Sequence, residues 1–347
     1  MWPACSPSKV PPVATFEYLG RVMAASETSG RVGDNNRSGG GIDGGPSEVR
    51  VPEQYVRAGK LAREMREWIL ENVAVPQTCL DIAEKIEAEI ERRGGQPAFP
   101  TGIGINEVTA HFAPQEDDQM RISSDDVVKI DYGVHFDGYI ADTAVTMTEN
   151  PEYQQLIEAT KRALEAAIAV VKKDPRTGEI GKAIENAAKL EGFKTINNLS
   201  GHTVEQYVVH AGKSIPNVYA PNQPVLKRDD VFAIEPFLTL GTAAGYVVDD
   251  PKDKRITIFS LIMRKRTGVK ELDDVVERIW TARKSLPFTP RWFSEEFGRE
   301  RLLKLLAELE RRRIVRGYPT LVEASNSPVA QFEHTMKLEG NSLVILT

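Results

Sequence analysis

One predicted hairpin, with two acidic residues set among apolar ones, constrains the fold more than any other feature of the sequence. The segment VVKIDYGVHFDGYIADTAVTMT carries Asp131 and Asp142 on either side of Asp137-Gly138, a dipeptide typical of two-residue hairpin turns. With that turn, Asp142 faces Gly133 and Asp131 faces Ala144 across the two strands. The two carboxylates then lie on one face as diagonal neighbours, with Cβ atoms ~7–8 Å apart or slightly closer.

Two carboxylates buried together are costly as charged groups unless a cation or hydrogen bonds compensate them. Their spacing suits two ligands that converge on metal ions, and Gly133 between them would leave that space open. Hairpins also carry aspartates as turn caps or surface residues, and a three-residue turn would separate the two carboxylates onto opposite faces. The hairpin alone therefore leaves a metal site and a structural role open.

Two further acids and a histidine favour the metal site. Glu235 in VFAIEPF and Glu333 in VAQFEHT each stand inside an apolar, strand-like run. Four buried acids would repel one another, and a shared cation is the simplest compensation. His202 in LSGHT supplies a nitrogen ligand. This oxygen-rich set suits Mn, Fe, Co or Zn in a two-metal site, in which a water shared by ions ~3.5–4 Å apart becomes acidic enough for hydrolysis.

Composition excludes several other classes of protein. The 347 residues are 41% hydrophobic and 27% charged, with a net charge of −6 and a pI near 5.6. This argues against a disordered protein and against a dedicated, basic nucleic-acid binder. No run of ~18–20 apolar residues predicts a membrane span. Cys5 and Cys79 form no C-x-x-C pair, which excludes a cysteine-built zinc site and fits a reducing cytoplasm.

The pattern along the chain predicts a tail followed by one large domain. Residues 1–50 are rich in Gly, Pro and Ser and predict a flexible tail. A G-x-G-x-x-G match at Gly39, Gly41 and Gly44 lacks the flanking strand and helix that a dinucleotide site requires. Residues 51–347 predict α+β architecture that begins with two amphipathic helices, the second capped by Thr78. Charged helical segments indicate an insertion over residues 262–325.

Five motifs, in this order, resemble those of a known family. The motifs are AFPTGIGINEVTAHFAP, VVKIDYGVHFDGYIADTAVTM, LSGHTVEQYVVHAG, FAIEPF and AQFEHT. With them, the chain from about Pro52 to Thr347 resembles type 2 methionine aminopeptidases of the pita-bread (M24-like) metallopeptidases. The resemblance implies an α+β pita-bread fold with pseudo-twofold halves, a central antiparallel sheet and a helical insertion in the C-terminal half.

The resemblance also implies a reaction and a metal centre. The reaction is removal of the initiator methionine from nascent proteins with a small second residue, by hydrolysis assisted by two divalent ions (Co, Mn, Fe or Zn). The ions would be bound by Asp131, Asp142, His202, Glu235 and Glu333. Asp142 and Glu333 would bridge them, and Glu235 would also act as the general base.

Five more residues obtain substrate roles from the resemblance. His111 and His210 would hydrogen-bond the scissile amide and stabilise the tetrahedral intermediate. Phe99, Val209 and Tyr318 would line an apolar slot for the methionine side chain. Plain core packing is the alternative for these three, above all for Val209. Two other histidines are expected to stay outside the ligand set: His135 as a structural residue, and His334 because it alternates away from Glu333.

Other functions and partners stay open at this stage. An X-Pro aminopeptidase of the same fold would usually have a longer folded N-terminal domain, and a non-catalytic pita-bread binding protein would usually lack metal ligands. The run Glu310–Arg313 suggests contact with RNA or the ribosome, but a solvated helix end is the favoured interpretation. The expected partners are nascent polypeptide N-termini, with transient ribosome association as a further option. Neither DNA nor a membrane is expected, and a cytoplasmic monomer is the default.

Overall fold

A computed structural model describes residues 51–172, 175–339 and 342–347. The tail predicted over residues 1–50 lies outside them. The helices of the described part are α1 Glu53–Asn72, α2 Cys79–Arg92, α3 Gln154–Val170, α4 Thr177–Leu190, α5 Lys270–Arg283, α6 Ser294–Phe297 and α7 Arg299–Arg311. Short 3-10 turns lie at Pro151–Tyr153 and Pro290–Trp292. None of these helices combines the length and the apolar character that crossing a bilayer requires.

Short strands occur in runs between these helices, and every strand pair in the described residues is antiparallel. The strands are β1 Gln96–Pro97, β2 Gly102–Ile105, β3 Val108–Ala110, β4 Val128–Phe136, β5 Tyr139–Met147, β6 Phe193–Thr195, β7 Ser200–Val204, β8 Ser214–Pro216, β9 Val231–Ile234, β10 Phe237–Leu240, β11 Val247–Asp249, β12 Ile256–Leu261, β13 Val315–Pro319, β14 Leu321–Glu323, β15 Val329–Gln331, β16 His334–Glu339 and β17 Ser342–Ile345.

The predicted hairpin is confirmed in its register. Strands β4 and β5 pair with Asp142 opposite Gly133 and Asp131 opposite Ala144. The turn residues Asp137 and Gly138 both have positive φ, 51° and 83°, as a two-residue type I′ turn requires. The two aspartates therefore share one face of the hairpin, as the sequence predicts.

Two sheets, each backed by a pair of helices, form the two halves of the domain. In the first half β4 pairs with β1, β2 and β5, and α1 and α2 bury Met65, Ile69 and Ile86 against it. Thr78 caps α2 by accepting a hydrogen bond from the Asp81 amide at 3.0 Å, as predicted. In the second half the order is β17-β16-β9-β7-β8, with α3 and α4 packed beside it. This α+β arrangement matches the predicted pita-bread fold.

Segment 331–335 runs along the outer edge of β5 and joins the two halves. Thr335 Oγ1 donates to the Asp142 carbonyl at 2.7 Å and accepts from the Asp142 amide at 2.8 Å. Two residues away, the Glu333 amide donates to the Ala144 carbonyl at 3.2 Å. Two residues farther, Thr146 Oγ1 and the Gln331 backbone exchange bonds of 2.6 and 2.8 Å. We call these contacts between residues 142–146 and 331–335 the β5 clasp; they satisfy a sheet edge that would otherwise be unpaired.

The charged helical segments form α5, α6 and α7, which pack with the β12–β13 pair around a core of their own. The predicted leucine stripe supplies this core, since Leu302, Leu306 and Leu309 are fully buried and Leu305 is half-buried. The unit contacts the first half through Arg283, which donates to the Pro97 carbonyl at 2.7 Å. An insertion bounded by residues 262 and 325 stays a prediction.

Candidate metal centre

All ten site residues predicted from the sequence line a single cavity of about 420 Å³ between the two halves. The first half contributes Asp131 and Asp142 from the β4–β5 hairpin. The second half contributes His202 from β7, Glu235 just after β9, and Glu333 just before β16. The other predicted residues that line the cavity are Phe99, His111, Val209, His210 and Tyr318.

The predicted ligands converge at the bottom of this cavity. His202 Nε2 lies 3.6 Å from Asp142 Oδ2 and 3.7 Å from Glu235 Oε1. Asp142, His202 and Glu333 each offer a ligand atom, and these atoms lie within 4.8 Å of one another. Three buried side chains with this spacing could share one cation.

The electrostatics of these side chains fit a divalent cation. Asp131 Oδ1 and Glu333 Oε1 are buried and have no hydrogen-bond partner among the described residues. Burial raises the pKa of Asp131 to about 7. Burial, reinforced by repulsion between the carboxylates, raises the pKa values of Asp142, Glu235 and Glu333 well above the usual range. Two divalent cations at this position would compensate the four carboxylate charges and give the unpaired oxygens a partner.

His202 is suited to be the nitrogen ligand. Burial, with a smaller contribution from His210, lowers the pKa of His202 to about 3. The ring is therefore neutral at neutral pH and has a free lone pair on one nitrogen, which metal binding requires.

Three residues that support the ligands were not identified from the sequence. Gln331 Nε2 donates to Glu235 Oε2 at 3.2 Å. Thr335 holds both backbone groups of Asp142. Arg66 Nη2 donates to Thr143 Oγ1 at 2.6 Å, and its charge opposes the rise in the pKa of Glu333. Gln331 and Thr335 each lie two residues from Glu333, and that spacing is a signal that could have found them; nothing in the sequence singles out Arg66.

The histidine at the cavity wall has a defined hydrogen-bonding state. His111 adopts a positive φ of 63°, and its Nδ1 lies 3.2 Å from the Pro319 carbonyl oxygen. Burial, followed by the charge of His210, lowers the pKa of His111 to about 4, so the ring is neutral. Because a carbonyl only accepts, Nδ1 carries the proton and Nε2 is left as an acceptor.

His210 lies beside the ligand set. Its ring centroid is 4.3 Å from that of His202. Partial desolvation of the ring, followed by the charge of Arg316, lowers the pKa of His210, although the residue is exposed at the cavity. A neutral His210 ring can donate one hydrogen bond into the cavity.

The apolar wall of the cavity shows that the prediction of open space beside Gly133 is wrong. A Cβ atom added to Gly133 would lie 2.5 Å from Phe99 Cε1, so the phenyl ring occupies the space beside this glycine. The hydroxyl of Tyr318, on the other wall, lies 3.0 Å from Ser260 Oγ. Val209 is buried beside Phe99.

The two remaining described histidines lie outside the cavity lining. His135 Nδ1 accepts from the Gly138 amide at 3.1 Å, so it caps the hairpin turn. His334 Nδ1 lies 3.0 Å from Thr347 Oγ1 and 3.2 Å from Arg66 Nη2, on the side of the strand away from the cavity.

Comparison with known proteins identifies the family. The model of metallopeptidase family M24 matches residues 53–276, and the methionine aminopeptidase of Pyrococcus horikoshii is 42% identical over 296 residues, covering 85% of this chain and 99% of the relative. The chain belongs to metallopeptidase family M24. The predicted resemblance to methionine aminopeptidases of this family is thereby confirmed.

Two solved structures share the fold of this M24 protein. One, described as the structure of a thermophilic Arx1, has a TM-score of 0.73 at 16% identity and covers 85% of this chain and 89% of its own. The other, a methionine aminopeptidase from Thermotoga maritima, has a TM-score of 0.61 at 21% identity, with 87% and 97% covered. At these identities the likeness establishes the pita-bread fold.

Proposed function

We propose that this M24 protein is a cytoplasmic methionine aminopeptidase. Its substrates would be nascent polypeptides whose second residue is small, and it would release their initiator methionine. One observation carries the proposal: four carboxylates, two of them buried and two half-buried, share one cavity with three neutral histidines and an apolar wall. This combination supplies metal binding, hydrogen bonds and an apolar slot in one place.

Asp131, Asp142, His202, Glu235 and Glu333 would hold two divalent ions. When bound, such ions act as Lewis acids that polarise a carbonyl and lower the pKa of a water molecule. The unpaired oxygens of Asp131 and Glu333 and the close approach of ligand atoms from Asp142, His202 and Glu333 support this ligand set.

Glu235 would act as the general base, and its hydrogen bonding supports this role. Gln331 holds its Oε2 atom, while Oε1 points toward His202 at the bottom of the cavity. A carboxylate fixed at one oxygen by a neutral amide keeps the other oxygen free to accept a proton from the attacking water.

His111 and His210 would orient the scissile amide, one as a hydrogen-bond acceptor and the other as a donor. Because His111 Nδ1 donates to Pro319, its Nε2 would accept the N–H of the scissile amide. His210, neutral and beside His202, would donate to the carbonyl oxygen and stabilise the negative charge that develops there.

Specificity would follow from the cavity walls. Phe99, Val209 and Tyr318 present an apolar surface that suits a thioether side chain. The buried carboxylates would attract the free amino terminus of the peptide. His111 and Tyr318 pack edge to face with ring centroids 5.4 Å apart, which would limit the size of the second residue.

The test is methionine release from a Met-Ala-Ser peptide. The chelated protein should be inactive and should regain activity with Mn, Co, Fe or Zn, while Met-Leu and Ala-Pro peptides stay intact. Asp142→Ala and His202→Ala should each lower metal affinity in calorimetry and reduce turnover at least ~100-fold. Asp229→Ala, at an exposed position, is the matched control and should behave as wild type.

Each contrary result has a defined meaning. Cleavage of Ala-Pro in place of Met-Ala would assign an X-Pro aminopeptidase. Folded protein that binds no metal and releases no methionine would assign a non-catalytic binding protein. Near-normal turnover by His202→Ala would refute the ligand assignment.

A further inference from the structure

The loop between β7 and β8, residues 205–213, rests on the turn of the β4–β5 hairpin. The Tyr207 amide donates to the Gly138 carbonyl at 2.8 Å, and Gln206 Nε2 donates to the Asp137 carbonyl at 2.8 Å. The loop belongs to the second half of the domain and the hairpin to the first. We call residues 205–213 the β7 loop; its contact with the turn joins the two halves beside the cavity.

The ring of Tyr207 packs directly on the glycine of that turn. A Cβ atom added to Gly138 would lie 2.4–2.5 Å from three atoms of the ring, so only a residue without a side chain allows this contact. The ring of His135, which caps the same turn, meets the Tyr207 ring edge to face with centroids 6.1 Å apart. The half-buried tyrosine is therefore enclosed by the hairpin turn and its capping histidine.

The backbone of Tyr207 has a conformation that its side chain disfavours. Glu205 and Val208 exchange two backbone hydrogen bonds of 2.9 Å, which makes residues 205–208 a tight turn, and Tyr207 has a φ of 60° within it. Glycine is the usual residue with positive φ in such a turn. A bulky residue keeps this conformation only where surrounding contacts hold it, and such residues are concentrated near functional sites. The turn alone would favour glycine, so the ring indicates a role in the contact.

This contact lies three residues before His210 in the sequence. On the other side of His210, the Ala211 amide donates to the Thr203 carbonyl on β7 at 2.7 Å. Ser285 Oγ also donates to the Tyr207 carbonyl at 2.6 Å, so the tyrosine backbone is held from two directions. Because His210 is exposed at the cavity, its position depends largely on these backbone contacts.

We propose that Tyr207 is a positioning residue for His210. Its ring, packed on Gly138, holds the β7 loop where the His210 ring can donate to the carbonyl oxygen of the scissile amide. The inference rests on the proposed function, in which His210 stabilises the negative charge that develops on that oxygen. Displacement of an active-site group by ~1 Å can lower the rate ~100-fold, so a residue outside the cavity lining can control turnover.

Turnover of Met-Ala-Ser by the metal-loaded full chain tests the proposal. Tyr207→Gly suits the positive φ but removes the ring, and it should lower kcat ~10–100-fold with unchanged metal affinity. Tyr207→Phe keeps the ring and should retain most of the wild-type kcat. The matched control is Asn222→Gly, which places glycine at an exposed position with a φ of 58° outside the cavity lining. This control should cleave the peptide as wild type does.

A double-mutant cycle separates positioning of His210 from a general structural effect. His210→Ala alone should lower kcat ~100–1000-fold, the usual loss when one donor to the oxyanion is removed. If Tyr207 acts through His210, Tyr207→Gly should lower kcat less than ~3-fold further in that background, because the effects of residues that act as a unit are not additive. A merely structural role would give the same loss in both backgrounds.

Hydrogen exchange of the metal-loaded protein without peptide measures the position of the β7 loop itself. The amides of residues 207–211 should exchange at least ~10-fold faster in Tyr207→Gly than in Tyr207→Phe, while the amides of β4 and β5 keep their protection. This measurement does not depend on peptide cleavage. If wild type released no methionine, the proposed function would fail, and the exchange rates would still decide whether Tyr207 holds the loop.

Four results would overturn the positioning role of Tyr207. They are a wild-type kcat in Tyr207→Gly, a loss in Tyr207→Phe as large as in Tyr207→Gly, an undiminished loss in the His210→Ala background, and equal exchange rates in the glycine and phenylalanine variants. The second would assign the effect to the tyrosine hydroxyl, and the third would assign it to the stability of the domain.

Discussion

Replacing Thr335 by valine tests the β5 clasp and its effect on the metal centre. Thr335 is fully buried, and its hydroxyl satisfies both the amide and the carbonyl of Asp142. Valine has nearly the same shape but makes neither bond. An unsatisfied buried polar group costs ~1–3 kcal/mol, so two of them should destabilise the protein by ~2–6 kcal/mol.

Urea unfolding of the metal-free protein measures that loss directly. A destabilisation of ~3 kcal/mol would lower the melting temperature by ~6 °C in a domain of this size. Because Asp142 would also lose its fixed backbone, calorimetry should show metal affinity reduced ~10–100-fold, the usual effect of losing a residue that orients a ligand.

Two control variants separate the clasp from general effects of the substitution. Thr335→Ser keeps the hydroxyl and should retain most of the stability and the metal affinity. Thr160→Val removes an equally buried hydroxyl that donates to the Leu156 carbonyl within α3, where the helix itself supplies a donor; it should cost under ~1 kcal/mol. If Thr335→Val cost no more than Thr160→Val and bound metal normally, the clasp would not position Asp142.

Two further predictions concern the pocket wall and the pH dependence. In Gly133→Ala the new Cβ would lie 2.5 Å from Phe99 Cε1 and displace the ring. The displacement should raise KM for methionyl peptides ~10-fold and lower the free energy of unfolding by ~1–3 kcal/mol. Metal affinity should not change. Gly102→Ala, whose Cβ would meet nothing closer than 3.5 Å, is the control, and equal KM values in both variants would contradict the argument. Chelated protein should lose stability in urea as pH rises from about 6.5 to about 8.5, because the raised pKa values of Asp131 and its neighbours make the folded state hold protons that the unfolded chain has released. Below about pH 6.5 the buried histidines, whose pKa values are lowered, oppose this trend. Metal-loaded protein should show no such fall in the free energy of unfolding with pH. If the stability of metal-free protein did not change with pH, the carboxylate cluster would be refuted.

The parts of the fold that could be predicted are those determined by residues close together in the sequence. The Asp137-Gly138 turn determines the hairpin register, and Thr78 determines where α2 begins. Both effects act within a few residues, so one sequence suffices to find them. The motifs around the predicted ligands are equally local, although their convergence in one cavity depends on the whole domain.

The contacts that cross the domain could not be predicted in the same way. Arg66 reaches Thr143, 77 residues away, and the clasp joins segments separated by about 190 residues. The use of Gly133 to accommodate Phe99 was also hidden, because a glycine in a strand indicates a close approach without identifying the approaching group. Side-chain packing between distant segments decides each of these features.

The β5 clasp has a consequence for the order in which the protein is made. Asp131 and Asp142 leave the ribosome long before segment 331–335, so the early half of the chain has an open strand edge and two acids without their final neighbours. The cavity acquires Glu333 only when the clasp closes. A peptidase built in this order stays inactive toward other growing chains until its own segment 331–335 has been made and folded.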